Sequence, residues 1–202
     1  MELTKAQAWM ADFAATISQN AALLTDLDRQ IGDADHGSNM NRGMQAVIAL
    51  DRDFPDAASY LKKAGMTLVS TVGGASGPLY GTFLLRFAGA LTGQTTHDAH
   101  GMARAWRAGL EGVISRGKAG PGDKTMVDAL QPAVEAMEAE TSDLAICLTS
   151  GLAAGEQGRD ATTPMVARKG RASYLGERSA GHQDPGATSI VLLLEAAART
   201  LA

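Results

Sequence analysis

The chain has 202 residues, of which 45% are hydrophobic, and its formal net charge is -4 at neutral pH. This length suits a single domain over residues 1–202, and the scattered Lys and Arg residues exclude the basic surface of a nucleic-acid-binding protein. One cysteine, no export signal and no apolar run long enough to span a bilayer exclude an internal disulfide and a membrane anchor, and they predict a reducing, cytoplasmic location.

Helical periodicity runs through most of the sequence. Thr4 and Gln7 have the spacing of a capping box, and the apolar residues after them recur at helical spacing up to an acidic turn. Further helical patterns cover about 39–50, 56–72, 79–91, 98–116, 125–139, 142–160 and 186–201, with His97 and His100 near the start of the pattern at 98–116. About eight helices without a convincing strand predict an all-α bundle, with the acidic turn and the glycine loops at one end.

The acidic turn LDRQIGDADHGSNMN concentrates three carboxylates in a short stretch. Asp28, Asp33 and Asp35 would repel one another, whereas a hard divalent cation such as Mg²⁺ binds carboxylate oxygens and shares its other positions with phosphates. Ser38 and Asn39 are suited to cap the following helix, so its positive dipole end would face the same place. We therefore interpret this turn as a metal and phosphate site.

Two alternatives compete with that interpretation. An EF-hand loop starting at Asp33 would need an acidic ligand at its fifth position and Glu at its twelfth, but the sequence has Gly37 and Met44 there. The other alternative is that the aspartates only cap helices and fill turns, as Asp often does without a ligand. Three carboxylates followed by His-Gly-Ser-Asn are less common than an ordinary Asp-Gly turn, which favours the metal site.

Three other segments interrupt the helical patterns. The glycines of residues 73–78, GGASGP, allow backbone amides to approach an anion, although a plain turn between helices explains them equally well. Residues 117–125, GKAGPGDKT, resemble a P-loop, but they have one residue too many before Lys124 and follow a predicted helix, so we reject that motif. Residues 165–185 have no period, and so long an irregular run in a compact domain is usually functional or mobile.

Four motifs, LDRQIGDADHGSNMNRG, GGASGPLYG, GDKTMVDAL and GRASYLGERSAGHQDPGATS, resemble in content and order those of the nucleotide-binding subunit of dihydroxyacetone kinase. The resemblance covers nearly the whole chain and implies a barrel of eight antiparallel helices. It also implies that Asp28, Asp33 and Asp35 bind two Mg²⁺ ions, which bridge to the phosphates of ADP or ATP. The other residues that it assigns to the nucleotide are His36, Gly37, Ser38, Asn39, Ala75, Ser76, Gly117, Met126, Arg171, Asp184, Pro185 and Gly186.

The resemblance further implies a role for each part of this site. His36 to Asn39 would close around the metals, Ala75 and Ser76 would contact phosphate, and Gly117 and Met126 would flank the adenine. Arg171 and the residues from Asp184 to Gly186 would cover the nucleotide as part of a lid. Such a site suits phosphoryl transfer, which depends mostly on positioning and on neutralising the charge of the transferred group. One departure from the family pattern is Ala34, where glycine would also suit a tight turn.

A partner is implied as well, because the family's sugar-binding subunit carries dihydroxyacetone covalently on a histidine and no such domain fits in this chain. The phosphoryl donor would be either a phosphohistidine protein of the phosphotransferase system, which recharges bound ADP, or ATP that exchanges with ADP. The short chain favours the first donor, and other small ketoses are alternative substrates. Two competing hypotheses are an ADP-sensing module that binds a transcriptional regulator and a helical bundle with a structural metal.

Overall fold

The computed structural model describes residues 1–92 and 98–202, and this part of the chain is all-helical. Between the last two α-helices lies a 3₁₀ segment, Arg171–Ser179, within the stretch that has no sequence period. The α-helices are α1 (Leu3–Ile31), α2 (His36–Ile48), α3 (Ala57–Thr71), α4 (Ser76–Leu91), α5 (Ala99–Gly117), α6 (Met126–Ala139), α7 (Leu144–Ala161) and α8 (Pro185–Thr200).

The helices form a closed ring around one hydrophobic cluster. Each helix packs against the next one along the chain, and α8 packs back against α1. Apart from the stretch between α7 and α8, neighbouring helices are joined by short connections, as is typical of antiparallel helices. At the centre of the core, the rings of Trp9, Phe83, Phe87 and Trp106 contact one another, with the Trp9 and Phe87 centroids 5.2 Å apart. This architecture confirms the predicted all-α helical barrel.

Three of the predicted helix starts differ from the structure for local reasons, and the first two are those of α1 and α4. Glu2 precedes α1 and makes no side-chain cap, and the Gln7 side chain donates instead to the backbone carbonyl of Arg52, so the capping box of Thr4 and Gln7 is not formed. The helix α4 begins at Ser76, two residues before Pro78, which the sequence placed at the first helical position. Proline is tolerated there because the N–H groups of the first turn have no partner inside the helix.

The start of α2 also differs from the prediction. Neither Ser38 nor Asn39 caps it, since the helix already begins at His36. The reason lies in Asp28, whose Oδ2 accepts hydrogen bonds from the backbone N–H groups of Asp35 and His36 and so starts the helix early. The first turn of α2 therefore lies directly against the acidic cluster.

Side chains cap most of the other helices. The capping residues of α3, α5, α6, α7 and α8 accept hydrogen bonds from backbone N–H groups of the first turn, and they are Asp56, Asp98, Thr125, Asp143 and Asp184. His97, predicted near the start of α5, lies outside the described residues. Within residues 1–92 and 98–202, no helix has the length and apolar character needed to cross a membrane.

Candidate functional site

The three carboxylates predicted as metal ligands lie together between α1 and α2. Asp28, Asp33 and Asp35 each offer an oxygen atom, and these atoms all lie within 4.8 Å of one another. Asp28 belongs to the last turn of α1 and is buried, whereas Asp33 and Asp35 lie on the connecting turn. Asp28 Oδ2 accepts hydrogen bonds from the backbone N–H groups of Asp35 over 2.8 Å and of His36 over 3.1 Å. These bonds orient the Asp28 carboxylate. Such a set of oxygen atoms fits a hard divalent cation.

The backbone of this turn depends on two small residues. The N–H of Gly32 donates to the carbonyl of Asp28 over 2.5 Å, and a Cβ at Gly32 would lie 2.0 Å from Asp28 Oδ1. Ala34 has a φ of 63°, in the left-handed region that favours glycine. The prediction that glycine would also suit position 34 is thus confirmed, and alanine holds this conformation at a cost of about 1 kcal/mol.

His36 connects three helices beside the cluster. Its Nδ1 lies 3.1 Å from Ser76 Oγ at the start of α4, and its Nε2 lies 2.9 Å from Ser189 Oγ on α8. The Ser189 hydroxyl donates to the carbonyl of Gly186 and accepts from Tyr80, so it can only accept from His36. The proton of the neutral ring is therefore assigned to Nε2, and Nδ1 accepts from the Ser76 hydroxyl.

The N-termini of α2 and α4 begin at the same cavity, and the N-cap residue of neither helix makes a side-chain cap, although Asp28 accepts the N–H of His36 at the start of α2. In α3 and in α5 to α8, a side chain accepts from the first turn. The free backbone N–H groups of a helix N-terminus and its positive dipole end bind anions such as phosphate. The uncapped start of α4, together with the positive dipole end of α2, therefore makes this cavity suitable for phosphate groups next to the acidic cluster.

The cavity collects most of the residues predicted from the sequence. Its volume is about 190 Å³, and its walls come from both helix starts, the acidic turn, the start of α6 and the segment before α8. The predicted site residues that line it are Asp28, Asp33, Asp35, His36, Ala75, Ser76, Met126, Arg171, Asp184, Pro185 and Gly186.

A second cavity of about 430 Å³ adjoins the first, and Gly117 lines it. Ala75, Leu79 and Met126 line both cavities, so the two share part of their walls. Its walls are mostly apolar, as a flat heterocyclic base requires, and they include Pro78, Leu79, Val113, Ala119, Met126 and Val127. The acidic cluster and the helix starts thus lie at one cavity, and the apolar walls lie at the next. A nucleotide has the same arrangement, with its phosphates at one end and its base at the other.

Three predicted residues do not line either cavity. A Cβ at Gly37 would lie 2.0 Å from the carbonyl of Ala21, so this glycine allows α2 to pack closely on α1. Ser38 is exposed and donates to the carbonyl of Asp35. The Asn39 side chain is buried against Gly73 and accepts from Arg42. Contact of Gly37 or Ser38 with a nucleotide would therefore have to use their backbone amides.

Residues 165–179, which we call the lid, cover one side of the cavity. Lys169, Gly170, Arg171 and Ala172 of the lid line it, and the Nε of Arg171 lies 3.0 Å from Asp33 Oδ2. The prediction that residues 165–185 lack regular structure is wrong in part, because the 3₁₀ turns of Arg171–Ser179 are too short to produce a detectable helical period. The lid brings a cation to the acidic cluster.

Two buried titratable groups border the cavity. Burial lowers the pKa of His36, although the nearby carboxylates of Asp28 and Asp35 oppose the shift. Burial raises the pKa of Asp184 to about 7, although its hydrogen bond from the Ala187 N–H opposes the shift. Both shifts favour the neutral form of the side chain. A neutral Asp184 would not repel an anion in the cavity.

Sequence reasoning missed several residues of this site. Lys124 was considered only as part of a P-loop, and the rejection of that motif is confirmed because the loop follows α5. Tyr80 and Ser189 resemble ordinary core positions in the sequence, and only their hydrogen bonds reveal their connection to His36.

Comparison with known proteins gives consistent results. The DAK2 domain family matches residues 30–199. The chain is 45% identical over 205 residues to the PEP-dependent dihydroxyacetone kinase, ADP-binding subunit DhaL of Escherichia coli, and the match covers 96% of each chain. It is also 45% identical to the ADP-binding subunit DhaL of PEP-dependent dihydroxyacetone kinase 1 of Listeria innocua, with 95% of this chain and 93% of the relative covered.

A solved structure extends the likeness to the fold. The chain superposes on the dihydroxyacetone kinase of C. freundii in complex with AMP-PNP and Mg²⁺ with a TM-score of 0.74 and 27% identity. The match covers 96% of this chain but only 33% of that kinase, so the chain spans about a third of the larger protein. The chain belongs to the DAK2 domain family, and within it to the ADP-binding subunits of dihydroxyacetone kinases.

Proposed function

We propose that this chain acts as a single domain that holds ADP or ATP with two Mg²⁺ ions and transfers a phosphoryl group to dihydroxyacetone on a partner subunit. The observation that carries the proposal is the cluster of Asp28, Asp33 and Asp35 beside the first turns of α2 and α4 and next to an apolar cavity. The names of the relatives, which are ADP-binding subunits of this kinase, support the same reaction.

The charges of the site support two metal ions. One divalent ion does not offset the three carboxylates, and the phosphates of a nucleotide would add further negative charge. A second ion would offset that charge. Bound Mg²⁺ polarises phosphoryl oxygens and neutralises the charge that spreads over the transferred group.

The protein's own residues would hold and orient the nucleotide. Asp28 is held by two backbone N–H groups, so its carboxylate is oriented before a metal arrives. The backbone N–H groups of Ser76 and Gly77 in the first turn of α4 would donate to phosphate oxygens, while the Ser76 hydroxyl donates to His36. Arg171 would leave Asp33 and turn to the phosphates. Met126 and Gly117 would contact the two sides of the base in the apolar cavity.

We further propose that the donor is a phosphohistidine protein of the phosphotransferase system and that ADP stays bound as a cofactor. The names of two relatives, one called PEP-dependent and one called PTS-dependent, support this donor. The reaction would take place in the reducing cytoplasm, where the single, buried Cys147 stays a free thiol. An alternative is an ATP-dependent kinase of a related ketose, because the L-erythrulose 1-kinase of Mycolicibacterium smegmatis is 34% identical over 91% of this chain.

The first experiment is to purify the chain without added nucleotide, denature it, and identify the released nucleotide and metal. Near-stoichiometric ADP with magnesium would support the cofactor role, whereas reversible binding of ATP and ADP would support ATP-dependent exchange. Failure to bind either nucleotide with Mg²⁺ would contradict the proposal.

A second experiment mixes the chain with the sugar-binding subunit, dihydroxyacetone and each donor in turn. Formation of phosphorylated ketose only with the phosphohistidine protein is the expected result. A nucleotide-sensing module would bind ADP but form no product with either donor.

A further inference from the structure

Hydrogen bonds hold the two ends of the lid together. The N–H of Ala167 donates to Ser179 Oγ over 2.8 Å, and just outside the lid the N–H of Gly181 donates to the carbonyl of Thr163 over 2.8 Å. Compact loops whose ends lie close together and which pack on their own side chains are Ω-loops, and many are functional. The lid is such a loop, and its position depends on the contacts at its base.

Lys124 lies between these two ends and joins them. Its Nζ donates to the carbonyl of Met165 over 2.9 Å and to the carbonyl of Ser179 over 2.5 Å. Only 1% of this lysine is exposed, although lysine is almost never fully buried unless it is paired. The backbone of Lys124 also has a φ of 61°, in the left-handed region. A residue with a long cationic side chain is thus kept under the lid in an unfavourable backbone conformation.

The loop that carries Lys124 contacts both the apolar cavity and the lid. Thr125 and Met126, which follow Lys124, line the apolar cavity. Asp128 on α6 accepts the N–H groups of Gly122 and Thr125, and the carbonyl of Asp123 accepts the N–H of the lid residue Arg168 over 3.0 Å. The same loop therefore contacts the apolar cavity, which would hold the nucleotide base, on one side and the ends of the lid on the other.

The structure assigns Lys124 as a positioning residue that holds the two ends of the lid together and keeps the lid over the cavity. Lys124 thereby limits the rate at which a bound nucleotide leaves. The assignment rests on the proposed nucleotide site. Its physical basis is that a side chain without an N–H donor at position 124 would leave two carbonyls without their partner, and the lid could then move away from the cavity. Lys124 would act through the lid residue Arg171, which faces Asp33.

The test compares Lys124→Met with Lys118→Met. Lys118 is a matched control because it lies in the same loop and has a φ of 49°, but it is exposed. The dissociation rate of a fluorescent ADP analogue is measured in Mg²⁺ by chasing with excess ADP. We expect Lys124→Met to raise this rate roughly tenfold or more, and Lys118→Met to leave it unchanged.

A second readout needs no nucleotide. Trypsin cleaves after Arg and Lys, and the lid carries the exposed residues Arg168, Lys169, Arg171 and Arg178. We expect trypsin to cut the lid faster in Lys124→Met than in the wild type or in Lys118→Met. If Lys124→Met does not fold, Lys124→Gln keeps an N–H donor and should show a smaller change in the same direction.

A double-mutant cycle separates positioning from general stability. If Lys124 acts by placing Arg171, Arg171→Met should raise the dissociation rate less in the Lys124→Met background than in the wild type. Wild-type rates in both lysine-124 variants, or full additivity of the two substitutions, would overturn the assignment. A wild-type protein that binds no ADP analogue would contradict the proposed function itself, which is a distinct outcome.

Discussion

The Nε of Arg171 lies 3.0 Å from Oδ2 of Asp33, so the lid places a cation on a carboxylate of the acidic cluster. The two residues are 138 positions apart in sequence, and both are partly exposed, with 67% and 36% of their side-chain surface accessible. A metal ion bound at the cluster would compete with the guanidinium for this carboxylate. The position of the lid and the binding of a metal would therefore be coupled through Asp33.

Substitution of Arg171 by methionine should change two affinities in opposite directions. Without nucleotide, Mg²⁺ should bind more tightly, because the guanidinium no longer competes for Asp33. With Mg²⁺ present, ADP should bind more weakly by roughly tenfold or more, because a charge-assisted contact to phosphate is lost. Isothermal titration measures both affinities. Arg178→Met, an exposed arginine of the same lid, is the control, and a loss of both affinities would contradict the shared role of Asp33.

The metal role of Asp33 can be tested with a neighbouring aspartate as control. We expect Asp33→Asn to reduce phosphoryl transfer by more than about 100-fold. Even residues that only hydrogen-bond to a metal ligand typically change activity by about 10–100-fold when they are substituted. The fold should persist, because the Asp33 side chain is partly exposed. Asp26→Asn changes an exposed aspartate that pairs with Arg29 on α1 and lies outside the cluster. Equal turnover in both variants would remove Asp33 from the site.

The buried Asp184 should make stability depend on pH. Burial and the nearby Asp128 raise its pKa from 3.8 to about 7, while Lys124 and the amides of α8 oppose the shift. The folded state binds this proton more tightly than the unfolded state, so the contribution to stability is present below about pH 4 and is lost as the pH rises to about 7. Asp184→Asn, which can still cap α8, should flatten this part of the curve.

Urea unfolding between about pH 4 and pH 7, without nucleotide, measures the effect of Asp184. The difference between wild type and variant isolates Asp184 from other groups that titrate in this range. Asp143→Asn is a matched control, because Asp143 caps α7 in the same way but is exposed. Parallel stability curves for wild type and Asp184→Asn would contradict the raised pKa.

Tyr174 should contribute to binding of the proposed sugar-binding subunit. It lies on the lid with 87% of its surface exposed, and large exposed aromatic residues often carry much of the binding energy of an interface. Tyr174→Ser should weaken association roughly tenfold or more without changing ADP affinity. Sedimentation or titration with the partner measures this change. Ile146→Ser is the control, because Ile146 is an exposed apolar residue with 50% of its surface accessible. It lies at the start of α7, whereas the opposite end of α7 contacts the site through Thr162 and Asp184.

The sequence alone determined the features that depend on neighbouring residues. Helical periodicity predicted the all-α bundle, because burying one apolar stripe on each helix requires only local spacing. The acidic cluster was also predictable, since Asp28, Asp33 and Asp35 lie within eight residues and a single turn brings them together. The exact start of α2 was not predictable from the sequence. It depends on the Asp28 side chain, which accepts hydrogen bonds from the backbone N–H groups of Asp35 and His36, seven and eight positions away.

Only the tertiary structure decided which distant residues complete the site. His36 contacts Ser189 across 153 positions, and Lys124 contacts Ser179 across 55 positions. Nothing in local spacing distinguishes Ser189 from a core residue or Lys124 from a loop lysine. Their roles arise because closing the ring of helices brings α2, α4 and α8 together and folds the lid over the loop before α6. The acidic cluster was therefore readable in the local motif, whereas the distant residues around it were set by the packing of the helices.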